Sequence, residues 1–398
     1  MKRMLTLLLA LSLLLPCIGA LSEGGRLEGE GFASPEDAVT AYLDAMNRGD
    51  VGEMLSTFAL ETFAEHVIPE MYNRRLGMFS MQSFSGVPIT DEYSRSLAAN
   101  ARYGMLAESL MQQYIEAGAA LQGMTIAPLG TEEMQRIRNG FAASPMRETA
   151  GRVEFVKWVS PVALTGGRIA MPMNRLNSAT QRAYAGADDL AELAAHIRVN
   201  GVDGLLLMGC VKYGDRWYNL EFGGLTGSIM GLNRYEQILK LLTTTEDMQL
   251  ALAMAANTFP DVTARWEACR ESGLPGTKWA LTEMNVPGVT VRADADAALG
   301  DAGQSVWAEL KLYGTCGGLV TIRVSPALQE ALQMPYDSTC VGIAWQAADG
   351  KMETDMIRAM VKSDIQLNFE ECTGSLEPGA DRIVFRFADG TEAVFAKQ

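Results

Sequence analysis

Alternating apolar and polar positions are clearest between residues 201 and 222. Leu205–Tyr213 is apolar and rich in residues that favour strands, and Arg216–Phe222 alternates between two faces. Gly214 and Asp215 between these runs accept the backbone angles of a tight turn. The pattern predicts a β-hairpin that is central to a sheet, because its aromatic content requires another element to pack on it.

A pair of helices is predicted near the start of the chain. Ser34 is followed by Pro35 and Asp37, the arrangement of an N-cap with proline in the first turn and an acidic residue at the capping position. Gly49 ends this first helix, and Asp50 caps a second, shorter one. The apolar face of the first helix consists of Val39, Tyr42, Leu43 and Met46.

The segment between these helices and the hairpin is predicted to be mostly helical. An apolar stripe runs through one long helix from Asp91 to Leu121, and a further helix is expected over Ala187–Arg198. Two strands are expected, at Val153–Val159 and near Gly167–Met173.

Beyond the hairpin the periodicity changes twice. Residues 233–274 show helical spacing and predict a helical connector, whereas residues 278–398 show period-two alternation in several short runs. Asp349-Gly350 and Asp389-Gly390 are strong two-residue turn signals. We therefore expect residues 278–398 to form an all-β sandwich.

Composition and charge narrow the classes of function. Residues 1–20 have the basic start, apolar run and small-residue end of a secretory signal peptide, and no later segment predicts a membrane span. We therefore expect a secreted bacterial protein; a lipid anchor on Cys17 is the alternative, although Pro16 stands where lipoproteins carry a small residue. The formal net charge of −15, which becomes −17 without the signal, excludes nucleic acid and anionic lipid as main partners.

The positions of the cysteines do not decide whether the protein contains a disulfide bond. The chain after the signal holds five cysteines, so at least one is unpaired or pairs between chains. Buried thiols are expected at Cys210 and Cys316 because their surroundings are apolar or glycine-rich. If a disulfide exists, Cys340 with Cys372 or with Cys316 is the preferred pair. The five are Cys210, Cys269, Cys316, Cys340 and Cys372.

Candidate catalytic and metal-binding residues are few. On the predicted helix, Asp189, Glu192 and His196 share a face, which is typical of a solvated surface with a weak ion pair. His66 has no partner at meaningful spacing. Asp294–Asp301 has alternating acidic residues but lacks the glycine of a calcium-binding loop, so we interpret it as an acidic turn. We expect no metal, cofactor or catalytic residue.

Residues 34–59 resemble the opening helix pair of NTF2-like (SnoaL-like) domains of exported bacterial proteins, and residues 211–222 resemble the last hairpin of that fold. The resemblance implies an α+β domain over residues 32–228, in which a helix packs into a strongly curved sheet to form a cone with a pocket at its mouth. In this chain the cone would carry a large helical insertion. The polar-tipped aromatic residues available to line the pocket are Tyr42, Trp158, Tyr213 and Trp217.

These observations favour non-catalytic binding of a small apolar ligand or a protein partner outside the cell. One alternative is an NTF2-like isomerase or hydrolase in which a tyrosine stabilises an oxyanion in the cone. Another is an oligomeric cell-envelope scaffold, since the long helix and the 23 methionines could form an interface between copies of the chain.

Overall fold

The structure is a computed structural model, and it describes residues 26–68, 91–121, 153–232, 239–242, 259–288, 290–297, 299, 303–331, 337–348, 351–358, 373–376, 381–387 and 390–398. Within these residues, helices are combined with two mainly antiparallel sheets. The predicted α+β class is therefore confirmed. Among the described residues, no helix combines the length and the apolar composition needed to cross a membrane.

The first sheet has five strands. Its order is β1-β2-β3-β4, and β5 pairs with a second part of β3. The strands are β1 (Val153–Trp158), β2 (Asp189–Val199), β3 (Val202–Tyr213), β4 (Arg216–Phe222) and β5 (Leu239–Leu241). The helices of this part are α1 (Pro35–Arg48), α2 (Val51–Ser56), α3 (Glu61–His66), α4 (Glu92–Leu121), α5 (Pro161–Leu164), α6 (Pro172–Gln181) and α7 (Gly224–Met230).

Helix α1 lies in the hollow of this sheet. Ser34 Oγ accepts a hydrogen bond from the backbone N–H of Asp37 at 3.1 Å, and Gly49 ends the helix in the left-handed region at φ 69°. The helix contacts all four strands from β1 to β4, which a flat sheet would not allow. The ladder is irregular within β1–β2 and β3–β4, and such bulges bend strands. The sheet therefore curls around α1.

The hairpin at Gly214-Asp215 is confirmed, because Tyr213 pairs with Arg216 across it. Helix α4 also matches the predicted long helix, and β1 matches the predicted strand over Val153–Val159. Both faces of the curled sheet are covered. The hollow holds a core that includes Leu43, Met46, Met54, Leu55, Phe58, Leu106, Leu110, Ile197 and Met208.

The predicted helix over Ala187–Arg198 is wrong, because these residues form strand β2. Every residue of β2 pairs with β3, from Asp189 opposite Lys212 to Val199 opposite Val202. The strand is buried on both faces, so its apolar residues do not alternate with polar ones. Its alanine and leucine residues therefore recur at spacings that also fit the apolar face of a helix.

Two other expectations are corrected. In place of a strand near Gly167–Met173, the chain makes a 3₁₀ turn at Arg168–Ala170 and then enters α6. The connector is helical at α8 (Pro260–Glu271), but Leu239–Leu241 is strand β5 of the first sheet. Residues 233–238 and 243–258 of the connector lie outside the described residues.

The second sheet has nine strands, so the described residues of the C-terminal part are rich in β-structure, which is compatible with the expected sandwich. Its order is β11-β10-β9-β8-β6-β14-β13-β12, with β7 beside β8, and the outermost strands β11 and β12 contact each other. This sheet also curls; its description as two packed layers stays a prediction. The strands are β6 (Lys278–Asn285), β7 (Arg292–Ala293), β8 (Ser305–Leu312), β9 (Gly317–Val324), β10 (Ser338–Ala348), β11 (Lys351–Arg358), β12 (Thr373–Leu376), β13 (Arg382–Arg386) and β14 (Glu392–Lys397), with helix α9 (Pro326–Ala331) after β9. The alternation at Asp364–Glu371 also predicts a strand, but these residues lie outside the described ones, as does all of the turn at Asp349-Gly350 and part of the turn at Asp389-Gly390.

The two sheets meet through α5, α6, α8 and the turn between β8 and β9. Val162, Ile169 and Leu225 from the first part of the chain belong to the same core as Trp279 and Trp345 of the second sheet. Lys278 Nζ lies 2.6 Å from Asp188 Oδ1, which adds a charged contact between the parts. This junction contains the cavity described below.

Candidate functional site

Two of the four predicted ligand-binding residues belong to the core of the first sheet. Tyr42 is 1% exposed and packs edge-to-face on Phe58 and Phe222, with both pairs of ring centroids 6.0 Å apart. Trp217 is buried in the same core. The hollow at this place is filled by the protein's own methionine, leucine and aromatic side chains, so Tyr42 and Trp217 have little surface to offer a ligand.

The other two residues lie elsewhere. Tyr213 is on the opposite face of the sheet, where its hydroxyl donates a hydrogen bond to the Ala185 carbonyl at 2.7 Å and burial raises its pKa. Trp158 is 36% exposed on the outer strand β1, with its ring beside Phe155. The structure therefore does not bring Tyr42, Trp158, Tyr213 and Trp217 together around one space.

The candidate acid–base and metal residues also have structural partners. His66 Nδ1 lies 2.8 Å from the Thr62 carbonyl oxygen, and His196 Nε2 lies 3.0 Å from Asp203 Oδ1. Asp294 accepts hydrogen bonds from Arg292 and from the backbone N–H of Asp296. Among the described residues, no three or more His, Cys, Asp or Glu side chains converge as metal ligands.

Glu192 is the most surprising of these residues, because it is buried instead of solvated. Its carboxylate accepts hydrogen bonds from the backbone N–H groups of Leu225 and Thr226 at the start of α7. Arg182 Nη1 lies 2.6 Å from the same carboxylate, and Arg182 also donates hydrogen bonds to Glu221. Burial by itself would lower the pKa of Arg182, but the charges of Glu192 and Glu221 more than offset this and raise it. Glu192 therefore joins strand β2 to two other elements.

A cavity of about 390 Å³ opens at the junction between the two sheets. This size is within the range of small-molecule sites. Its walls come from the loop after α5, the start of α6, helix α8, and the second sheet where β9 begins and β10 ends. The residues that line it are Gly166, Gly167, Ala170, Met171, Pro172, Arg175, Phe259, Val262, Arg265, Trp266, Cys269, Cys316 and Gln346.

The local sequence explains how one wall forms. Gly166 and Gly167 both have positive φ, at 60° and 78°, which lets the chain reverse after α5. A Cβ on Gly167 would meet the ring of Phe259 at 3.6 Å, an ordinary van der Waals distance, so the positive φ and not the space favours glycine there. Phe259 and Met171 remain 37% and 56% exposed, so the wall presents large apolar groups to solvent.

The charge of the lining contrasts with the charge of the chain. Arg175 and Arg265 line the cavity, whereas none of its described lining residues is acidic, although the chain has a formal net charge of −15. Arg175 is 5% exposed, and its Nη1 donates a hydrogen bond to the Trp345 carbonyl at 2.5 Å. Arg265 is exposed on α8. Arg175 and Phe259 line the same cavity, and a buried guanidinium in an apolar wall is suited to an anion that carries an apolar body.

Two buried thiols form part of the same wall. The Cys316 thiol is in hydrogen-bond contact with the Cys269 thiol, and burial raises the pKa of Cys316. The suggested pair of Cys340 with Cys316 is wrong: Cys340 pairs with Thr321, five residues along β9 from Cys316. That offset amounts to roughly 16 Å along the strand, far beyond the reach of a disulfide. Cys372 lies outside the described residues.

Asp189 holds the β8–β9 turn against the first sheet, and its buried carboxyl group makes the stability of the protein depend on pH. Its Oδ1 accepts hydrogen bonds from the backbone N–H groups of Gly314 and Leu190, but burial dominates and raises its pKa to about 6. Because this value exceeds the unfolded one of about 3.8, the folded chain binds more protons between these pH values. Stability contributed by Asp189 is therefore lost as the pH rises from about 4 to about 6, by at most about 3 kcal/mol.

The variant Asp189→Asn isolates this effect, since its amide stays neutral and still accepts hydrogen bonds. Urea unfolding at intervals between pH 4 and pH 6.5 should show the free energy of unfolding of the wild type falling relative to the variant as the pH rises. Parallel curves for the two proteins would contradict the raised pKa of Asp189.

Sequence reasoning missed the cavity because its residues come from separated segments. The available signals were the Gly166-Gly167 pair and the clustering of Phe259, Trp266 and Cys269 around a single helix. Neither signal indicates by itself that α8 faces the β8–β9 turn.

No protein-family model matches the chain, and no curated protein matches it. Two solved structures show weak likeness. A cystatin-like protein from Ruminococcus gnavus ATCC 29149 is 11% identical over 86% of this chain and 92% of its own, with a TM-score of 0.29. A protein from Burkholderia xenovorans is 12% identical over 33% of this chain and 88% of its own, with a TM-score of 0.19.

Proposed function

We propose that this protein is a secreted, non-catalytic binding protein that holds a small organic anion with an apolar body in the junction cavity. The observation that carries the proposal is a cavity of about 390 Å³ that contains two arginines, Phe259 and Trp266 and no acidic lining residue among those described. In a chain of net charge −15, such a local excess of positive charge favours an anionic ligand.

The exposed apolar side chains of the wall would hold the body of the ligand. Phe259 is 37% exposed and Met171 is 56% exposed, so an apolar group that packs on them would lose contact with water. Arg175 would then face the anionic group from a buried position, where a charged hydrogen bond is stronger than at the surface.

We propose further that residues 32–228 form an NTF2-like domain and that residues 278–398 form a sandwich-like all-β domain. The curled first sheet with α1 in its hollow supports the NTF2-like assignment, as does the hairpin at Gly214-Asp215. Helices α3 to α6 would be the insertion. In this proposal the ligand site has moved from the cone to the junction, since the cone holds the protein's own core.

Secretion is proposed from the basic and apolar pattern of residues 1–20. The enzyme alternative has less support. Tyr42 lies in the filled core, and the hydroxyl of Tyr213 already donates a hydrogen bond to Ala185. Neither phenol is therefore placed to stabilise a substrate oxyanion.

Calorimetric titration with 2-naphthoate and with the neutral 2-naphthalenemethanol tests the proposed function. Both probes carry the same ring system, so the difference between their affinities reports on the charge. We expect the carboxylate to bind at least about 10-fold more tightly, because a hydrogen bond to a charged group contributes about 1.5–3 kcal/mol.

Variants locate the site. Arg175→Gln should remove most of the preference for 2-naphthoate while changing the affinity for the alcohol by less than about 2-fold. Arg175→Lys should retain part of the preference. Arg382→Gln is the matched control, because Arg382 lies on β13 in an exposed pair with Glu283. Equal affinities for the two probes, or a preference that survives Arg175→Gln, would contradict the proposal.

A further inference from the structure

We propose that Cys269 and Cys316 are an oxidation site, at which a small disulfide converts the two thiols into a disulfide bond between α8 and the β8–β9 turn. This inference does not depend on whether the cavity holds an organic anion. It rests on the position of the two sulfurs, on the backbone of Cys316 and on the route that the cavity offers to a reagent.

The two thiols already face each other. They are in hydrogen-bond contact, and each also lies near a backbone carbonyl of the same wall. Cys269 Sγ is 3.9 Å from the Trp345 oxygen, and Cys316 Sγ is 3.8 Å from the Trp266 oxygen. Trp266 and Cys269 are one turn apart on α8, so the Cys316 side chain reaches across to the helix itself.

Cys316 has a backbone conformation that glycine adopts more easily than any residue with a side chain. Cys316 has φ 54°, one of three non-glycine residues in the described part of the chain with positive φ. The left-handed region costs an L-residue conformational energy that glycine avoids, and two glycines, Gly317 and Gly318, follow directly. A cysteine at the strained position, with glycines beside it, indicates that its sulfur does something that glycine cannot do.

The cavity gives access to both sulfurs. Cys269 and Cys316 are each 1% exposed, yet both line the cavity, whose wall also includes the exposed Phe259, Met171 and Arg265. By contrast, Cys210 is buried in the core of the first sheet, where its thiol donates to Asn219. The first two cysteines therefore border a cavity whose wall reaches solvent, whereas Cys210 does not line it.

The chemistry is a thiol–disulfide exchange. One cysteine loses its proton, and its thiolate attacks oxidised glutathione, which forms a mixed disulfide and releases one glutathione thiolate. The second cysteine then loses its proton and displaces the other glutathione. The two protons end on the two released glutathione molecules, so the protein loses two electrons and two protons, that is, two hydrogen atoms, to one disulfide.

Peptide mapping of the full chain tests the proposal. Trypsin places Cys269 in peptide 266–270 and Cys316 in peptide 312–323, while Cys210, Cys340 and Cys372 fall in three other peptides. The folded protein is incubated with oxidised glutathione, blocked with N-ethylmaleimide at low pH, and digested. We expect peptides 266–270 and 312–323 to be joined, at a mass two hydrogen atoms below the sum of the free thiol peptides.

Stability and variants supply a second readout. Oxidation should raise the Tm of the wild type by roughly 5 °C or more, because the bond closes a loop of 46 intervening residues. Cys269→Ser and Cys316→Ser should lose this rise, whereas Cys210→Ser should keep it. Cys316→Gly should be more stable than Cys316→Ser under reducing conditions, since it relieves the positive φ. Complete N-ethylmaleimide labelling of Cys269 and Cys316 after the incubation, or a link from either to Cys340 or Cys372, would overturn the proposal even if a variant failed to fold.

Discussion

Replacing Arg182 by methionine is expected to lower the free energy of unfolding by about 3–5 kcal/mol. Arg182 is the cation that faces two carboxylates, with Nη1 2.6 Å from Glu192 and Nε 2.8 Å from Glu221. The side chain of Glu192 is fully buried, so the variant leaves a carboxylate inside the protein without its counter-charge. Urea unfolding monitored by circular dichroism measures the change.

The double variant Arg182→Met/Glu192→Gln is the control for this prediction. It removes the buried charge together with its partner, and its amide oxygen still accepts hydrogen bonds from Leu225 and Thr226. The double variant should therefore be more stable than Arg182→Met alone. A loss below about 1 kcal/mol in the single variant, typical of a solvated surface pair, would contradict the buried network.

The substitution Gly186→Ala is expected to cost about 3–5 kcal/mol. Gly186 ends the 3₁₀ turn at Ala183–Ala185 with φ 65°, and an added Cβ would lie 2.0 Å from the His66 carbonyl oxygen. The cost combines an unfavourable backbone angle with a contact that only movement of the backbone can relieve. This movement would separate His66, at the end of α3, from Gly186, which precedes strand β2.

Gly201→Ala is the matched control for Gly186→Ala. Gly201 also has positive φ, at 81°, but an added Cβ would meet nothing within 4 Å. This variant should lose only the conformational part, about 1–2 kcal/mol. Thermal and urea unfolding of both variants give the difference; equal losses would show that the chain at His66 does not lie against Gly186.

The local signals in the sequence were sufficient for elements whose ends are marked by single residues. Ser34, Gly49 and Asp50 each satisfy a backbone requirement of a helix end, and Gly214-Asp215 satisfies that of a turn. Such signals depend on near neighbours in the chain, so they do not need the tertiary structure. The same holds for the long helix α4.

The errors came from residues whose environment is set by distant parts of the chain. Strand β2 is covered on both faces, so alanine and leucine stand where a half-exposed strand would alternate. A helix over Ala187–Arg198 would leave Glu192 solvated, whereas strand β2 directs it toward Arg182 and the start of α7. Sequence spacing contains no information about these partners.

The candidate site also depends on contacts between distant segments that local sequence signals do not reveal. Tyr42 and Trp217 share the core in the hollow of the curled sheet, but the space between them depends on Met54, Leu55, Phe58 and the α4 side chains that fill it. The junction cavity combines the segments 166–175, 259–269, 316 and 346. Only the docking of α8 on the second sheet makes them neighbours.

Hydrogen–deuterium exchange with and without saturating 2-naphthoate tests most directly whether the junction cavity, and not the hollow of the first sheet, is the ligand site. Slower exchange is predicted in peptides covering 166–175 and 259–270, with no change in those covering 38–58 and 216–222. Protection of the second pair of peptides, with the first pair unchanged, would place the ligand beside Tyr42 and Trp217 and contradict the account.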